Sequence, residues 1–288
     1  MAKVAIVTCC PNALPDNLLK ELEITMLFHP VTLEGKEYRV GETISPEDFL
    51  TEVKASKGFP KTAAMNVERF AEVYRKLMAE GKSIVNITIA GGIFSQPTVD
   101  AAREAANKVE GADVTVVNTM LIAHPMGLAV LEAARAAREG KSKDEVAKIA
   151  QEVASRSALI MALPNLEYLH RGGRIGKARA LLGSLMKVIP IAILRYGTQT
   201  VEPLGRGRNI QQANQKMIET IKADMEKSRA KRIKALIADV GDNPEATEAL
   251  KEALKKNIDC EEIIIGKMRC EIVHLGPGGW GIGYYLVK

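Results

Sequence analysis

The sequence predicts an α/β protein of two domains. The first is a three-layer α/β/α unit on a mainly parallel sheet, and the second is a two-layer α/β unit with a mixed sheet. Three observations predict this. Apolar strand patterns alternate with amphipathic helix patterns as far as residue 156, which argues for a parallel sheet covered by helices on both faces. Beyond that point the order changes to a strand, a hairpin, a long helix and further strands and helices, as expected of a mixed sheet. A length of 288 residues with 47% apolar side chains is enough for two cores. The boundary is placed near residue 155, giving domains 1–155 and 156–288.

Element by element, residues 3–8 (KVAIVT) read as a buried parallel strand, followed by a turn and a short helix from Pro15. Residues 24–28 and 31–33 read as extended, with Glu34-Gly35-Lys36 turning a hairpin before Tyr38. Ser45-Pro46-Glu47-Asp48 carries a helix start: a capping serine, proline at the first position and acids in the first turn. Helices near 67–79 and 97–108 precede strands at 83–90 and 113–118. Helices near 125–138 and 143–156 follow, the second capped by Ser142. In the second half, a strand near 158–163 leads into a helical stretch over 164–188. A hairpin at 190–204 turns through Tyr196-Gly197, and a helix spans about 209–227. Strand 232–238, helix 244–256, strand 261–265 and a closing strand near 283–287 complete the chain.

Composition excludes several function classes. The formal charge of +5 is spread along the chain, with no basic block interleaved with aromatics, so nucleic acid is not an expected partner. No apolar run approaches the ~20 residues that span a bilayer, and MAKVAIVTCC lacks the layout of a signal peptide. A cytoplasmic location and a monomer are the expectations. Cys9 and Cys10 are adjacent, Cys260 and Cys270 lie far away, and no zinc-type CxxC spacing exists. Structural disulfides are not expected in a reducing compartment. Paired-carboxylate, HExxH, GxSxG and metal-ligand motifs are missing, so no catalytic residue, metal or cofactor is assigned.

In an open parallel sheet, ligands sit beyond the carboxyl ends of the strands. That rule brings together Thr8-Cys9-Cys10-Pro11, Ala90-Gly91-Gly92 and Asn118-Thr119-Met120, with Lys61-Thr62-Ala63-Ala64 close by. Gly91-Gly92 before a helix can offer bare backbone N–H groups to an anion, or can simply form a tight turn. Cys9 or Cys10 is a nucleophile only if a base or cation lowers its pKa; otherwise both are buried and inert. His29 and His124, each followed by proline, read as structural or exposed. His274 precedes a glycine-rich stretch (LGPGGWG) that is read as irregular and flexible, from which an imidazole can reach an anion. Arg171-Gly172-Gly173-Arg174 can clamp an anion between two arginines or form a solvated helix connection, and Arg206-Gly207-Arg208 repeats the theme.

Longer motifs add a resemblance. They are LEGKEYRVGETISPEDF at 33–49, FPKT at 59–62, MGLAVLEAARAAREGKS at 126–142 and LEYLHRGGRIGKARALLGSLMKVIPI at 166–191. GRGRNIQQA at 205–213 and GPGGWGIGYY at 276–285 complete the series. In order and spacing this series is similar to the DegV family of fatty-acid-binding proteins, over essentially the whole chain. The resemblance implies a DegV-like fold with an acyl chain in a tunnel of the first domain and its carboxylate at the domain interface. It implies a non-catalytic carrier that presents a long-chain fatty acid to a fatty acid kinase for phospholipid synthesis. By the same resemblance Thr62 and His274 match head-group ligands, while Arg171, Arg174 and Arg206 match partner-facing basic positions.

Three segments depart from the family pattern. Thr8-Cys9-Cys10-Pro11-Asn12-Ala13-Leu14-Pro15 replaces Thr-Asp-Ser-Thr-Ala-Asp-Leu-Pro. Thr62-Ala63-Ala64-Met65-Asn66 replaces Thr-Ser-Gln-Pro-Ser. Ala90-Gly91-Gly92-Ile93-Phe94-Ser95 replaces Ser-Ser-Gly-Leu-Ser-Gly, so that the head-group serine aligns with Gly91. Backbone N–H groups of Gly91 and Gly92, or a Ser95 turned inward, are the expected compensation, with Ala63 at the mouth. The alternative reading keeps the scaffold and changes the ligand to another lipid or amphiphile. A cysteine-dependent enzyme ranks last.

Overall fold

Val4–Cys9 forms strand β1, and its almost wholly buried pattern suits a central parallel strand. It lies between β2 (Thr25–Leu27) and β6 (Ser83–Thr88), and β7 (Val114–Asn118) extends the sheet to the order β2-β1-β6-β7, all parallel. A computed structural model describes residues 4–92, 94–182 and 188–287. The part of the expected helical stretch over 183–187 lies outside the described residues, as does Ile93 of the glycine loop.

Helices α3 (Val67–Ala79) and α4 (Gln96–Lys108) pack as one pair on this sheet, and α5 (Ala123–Arg138) and α6 (Lys143–Ser155) as another. Before them come α1 (Asp16–Glu21) and α2 (Pro46–Ala55). Ser45 caps α2 by accepting from Asp48 N at 3.0 Å, and Ser142 and Glu145 form a reciprocal capping box on α6. A small antiparallel sheet of β3 (Val31–Leu33), β4 (Lys36–Tyr38) and β5 (Lys61–Thr62), ordered β4-β3-β5, stands beside the parallel one. The hairpin is as the sequence indicates. β5 is an addition, because two residues carry no readable periodicity.

The C-terminal sheet is mixed. Its strands are β8 (Ser157–Ala162), β9 (Ile189–Arg195), β10 (Glu202–Gly207), β11 (Arg232–Asp239), β12 (Cys260–Ile265) and β13 (Trp280–Val287), in the order β10-β9-β8-β13-β11-β12. Residues alternate between its two faces. Ile160, Ile193, Ile237 and Ile282 belong to a core with α8 (Ile210–Ser228) and α9 (Pro244–Asn257), whereas Leu159, Met161 and Leu236 join the larger core that contains α5. α5 therefore packs against both sheets, touching β1 on one side and β13, β11 and β8 on the other. Twelve of its residues are buried, which its alanine-rich sequence permits. Gly127 and Gly283 allow the close approach: a Cβ on Gly127 would lie 2.0 Å from the Asn12 carbonyl oxygen, and one on Gly283 would lie 2.5 Å from the Cβ of His124.

Two expectations need correction here. The glycine-rich stretch after His274 is not irregular throughout, because β13 begins at Trp280, and Gly281 pairs with Met161 where a Cβ would stand 2.6 Å from Ile160 O. His274 itself sits in a helical turn, α10 (Ile272–Leu275), and is half-buried. The stretch over 164–182 is helical in two short pieces, α7 (Leu166–Arg171) and a 3-10 turn over Gly176–Leu181.

Candidate functional site

An apolar-walled cavity of about 280 Å³ lies between the N-terminal sheet's loops and the C-terminal half. Ile89, Phe94, Ile122, Met161, Leu169, Val201 and Leu275 supply its apolar wall. Its polar groups are few: Thr62, Ser95, Arg174, His29, His274, Cys270 and Glu271. An apolar cleft with a handful of convergent polar groups is the usual form of a small-molecule site.

Thr62 arrives through β5. Its pairing with Val31 and the bond from Ala63 N to Pro30 O (2.8 Å) fix the segment against β3. His274 arrives from the other end of the chain on α10, and its Nε2 lies 3.1 Å from Thr62 Oγ1. Burial, with the Arg174 charge second, lowers the His274 pKa to about 3, so the ring is neutral near pH 7. Among the described residues, its Nδ1 is buried without a hydrogen-bond partner. Gly172 explains this crowding, because a Cβ there would stand 2.5 Å from that Nδ1. Gly173 then takes φ +71 to turn the chain. The two glycines of the Arg-Gly-Gly-Arg motif thus have separate jobs, one for the histidine and one for the turn.

The two arginines of that motif part company. Arg171 is exposed, ion-paired with Glu167 and stacked at 4.4 Å over the Phe59 ring. Arg174, which the resemblance places with Arg171 and Arg206 among partner-facing positions, lines the cavity. The turn at Gly173 redirects it, and its Nη1 and Nη2 donate to Gly172 O (2.6 Å) and Phe94 O (2.9 Å). Among the described residues no carboxylate pairs with it, and desolvation alone lowers its pKa. Arg206 is exposed on β10, as is Arg208 beyond it.

The glycine loop is arranged differently from the expected anion cradle. Gly91 N donates to Asn118 Oδ1 (3.4 Å) and Gly92 N to Gln96 Oε1 (3.1 Å). Both amides are therefore taken by side chains of this chain. Gly92 lines the cavity and Gly91 does not; a Cβ on Gly91 would point at Gln96 and Asn118, 2.3 and 3.2 Å away. Ala63 lies at the wall beside Thr62.

Ser95 is also engaged, through a relay the sequence did not reveal. His29 Nδ1 bonds to the Cys10 carbonyl and must be the protonated nitrogen, so Nε2 accepts from Thr98 Oγ1 (3.2 Å). With its own proton so used, Thr98 Oγ1 accepts from Ser95 Oγ at 2.7 Å and from Met65 N at 3.2 Å. Ser95 thus presents lone pairs to the cavity, and a bound carboxylate recruits its proton only by breaking that bond. Burial lowers the His29 pKa to about 4, keeping the relay neutral. His29 and Thr98 were not selected from sequence, and no local pattern links residues 69 apart.

Cys9 is buried, and desolvation pushes its thiol up to about 12, so little of it is thiolate near pH 7. Cys10, Cys270 and Glu271, scattered in sequence, converge with their ligand-type atoms all within 4.8 Å.

A family model described as "Uncharacterised protein, DegV family" matches residues 3–287. The chain belongs to the DegV family. A DegV domain-containing protein of Lactococcus lactis, YejH, is 30% identical over 279 residues, covering 97% of this chain and 98% of its own. Among solved structures, a DegV family protein from Thermus thermophilus described by its fatty acid binding superposes with a TM-score of 0.89 at 30% identity, covering 99% of this chain and 100% of its own. DegV from Bacillus subtilis, described as a fatty acid binding protein, gives 0.82 at 22% identity with full coverage of both chains, and at that identity the likeness concerns the fold. The DegV fold, a parallel sheet followed by a mixed one, is thus established. Among the described residues no helix is long and apolar enough to cross a membrane.

Proposed function

We propose that this DegV protein binds a long-chain fatty acid, with the acyl chain against the apolar wall and the carboxylate at Thr62, His274 and Arg174. Arg174 is the observation that carries the reading. A half-buried guanidinium bonded, among the described residues, only to carbonyls, beside a hydroxyl–imidazole pair in a mainly apolar cavity, calls for an anionic ligand. The fatty acid binding described for the Thermus thermophilus relative, at 30% identity over nearly the whole chain, supports the same ligand class.

In this reading His274 Nε2–H donates to Thr62 Oγ1, which frees the Thr62 proton for a carboxylate oxygen. Arg174 supplies the charge. Burial of the acyl chain at ~0.8 kcal/mol per CH₂ provides most of the affinity, so a head-group clasp with few ligands suffices. The chain acts without catalysis, in the cytoplasm, and hands its cargo to a fatty acid kinase that docks near exposed Arg171 and Arg206. The occupied Gly91 and Gly92 amides favour a second reading, another amphiphile with a less acidic head group. Mass spectrometry of an organic extract of the purified protein separates the two. A C16–C18 fatty acid supports the first reading, a different amphiphile the second, and a clean extract with no uptake of added fatty acid rejects both.

A further inference from the structure

Two of the four cysteines meet although 260 residues separate them. Cys10 lies just after β1, and Cys270 lies just before α10. Their sulfurs stand 2.6 Å apart, and Cys270 N donates to Cys10 Sγ at 3.3 Å. Cys10 Sγ also donates to Glu271 Oε2 at 3.8 Å, and that carboxylate is held in place by Ala13 N (3.1 Å) and Arg269 N (2.8 Å). Cys270, Glu271 and Pro11 all line the cavity, so a small oxidant reaches the pair from there.

We propose that Cys10 and Cys270 form a site of reversible oxidation, a dithiol that hydrogen peroxide converts into a disulfide fastening the loop after β1 to the segment that carries His274. Geometry favours this over a metal site. Two sulfurs bound to one zinc at ~2.3 Å each would stand well apart across a tetrahedron, whereas these are in direct contact. Both Glu271 oxygens already accept backbone N–H bonds. The cavity-facing Cys270 reacts first: its sulfur attacks one peroxide oxygen, the O–O bond breaks, and a sulfenic acid and one water form. Cys10 sulfur then attacks the Cys270 sulfur, its proton passing by way of Glu271 Oε2 to the departing hydroxide, and a second water leaves. The sum is two thiols and one peroxide to one disulfide and two waters. Burial raises the Cys270 thiol well above its ordinary pKa, so the reaction is slow, on a scale set by the small thiolate fraction. The proposal does not depend on which ligand the cavity holds.

The test uses the reduced full-length protein treated with hydrogen peroxide, then denatured, alkylated and digested without reduction. Wild type is run beside Cys9→Ala, which removes the ambiguity of adjacent cysteines. Expected in both proteins is loss of two thiols, of the four in wild type and of the three left in the variant, with a mass decrease of about 2 Da for two hydrogens and a dithiothreitol-reversible peptide joining Cys10 to Cys270. Recovery of both cysteines alkylated after prolonged treatment overturns the proposal. So does their conversion to separate sulfinic acids, or a stoichiometric zinc ion in the purified protein that is released by thiol modification. Wild type alone decides the outcome if the variant fails to fold.

Discussion

His274 Nε2 and Thr62 Oγ1 lie 3.1 Å apart, a bond in the cavity wall between residues 212 positions apart. Thr62→Val and His274→Asn each remove one member with modest change in volume. Loss of a hydrogen bond to a charged ligand costs about 1.5–3 kcal/mol, or roughly ten- to hundredfold in affinity. Displacement of a fluorescent fatty acid should show that loss in each variant. It should also show a double variant little worse than either single, because the two act as one unit.

Arg174 and Arg171 should separate cleanly. Arg174→Gln removes the cavity charge and is expected to weaken fatty acid binding by roughly tenfold or more. Arg171→Gln, at an exposed ion pair with Glu167, should leave binding within about twofold and stability within about 0.5 kcal/mol. Equal effects in the same titration would contradict the placement.

Gly91→Ser is expected to gain nothing. Its new side chain meets the Gln96 carboxamide rather than the cavity and displaces the bond to Gly92 N, costing about 1 kcal/mol of stability. A thermal melt and the same displacement assay check both halves. A tenfold tighter fatty acid would show instead that the hydroxyl turns inward.

Stability should fall as the solution is acidified. Burial holds His29 and His124 at about 4 and His274 at about 3, against an ordinary 6.5 in the unfolded chain. Below pH 6.5 the unfolded chain therefore binds more protons than the folded one. Each histidine removes up to about 1.4 kcal/mol per pH unit until its folded value is reached. Glu271 and Asp239, whose pKa values burial raises, run the other way and offset part of this. Urea midpoints at pH 7 and pH 5 should differ, with the lower one at pH 5.

Gly127→Ala tests the seam between the sheets. A methyl group 2.0 Å from the Asn12 carbonyl forces α5 away from the loop after β1. A loss on the order of 1–3 kcal/mol is expected in a chemical melt, the usual cost of overpacking.

Much of the architecture was legible because it is local. Periodicity located α3 and the β6–α4–β7 run, and Ser45 and Ser142 marked helix starts through caps that the structure shows bonded. The site was legible only in part. Loop position and motif resemblance together point to Thr62 and His274, yet their contact depends on two segments 212 residues apart meeting. The direction of Arg174 depends on φ at Gly173, and the loss of the Gly91 and Gly92 amides depends on Asn118 and Gln96 reaching back to them. None of these has a period or a spacing. The His29–Thr98 bond and the Cys10–Cys270 contact are set by tertiary packing and silent in the chain.

Carboxylate selectivity separates a head-group clasp from simple uptake of an acyl chain. Palmitate and its methyl ester, compared as competitors of one fluorescent fatty acid on the wild-type protein, differ only in the group that Thr62, His274 and Arg174 are proposed to hold. Saturable displacement by palmitate is expected, with at least about tenfold weaker displacement by the ester, as loss of a charged hydrogen-bonding group requires. Equal displacement by the two, or none by either, would contradict it.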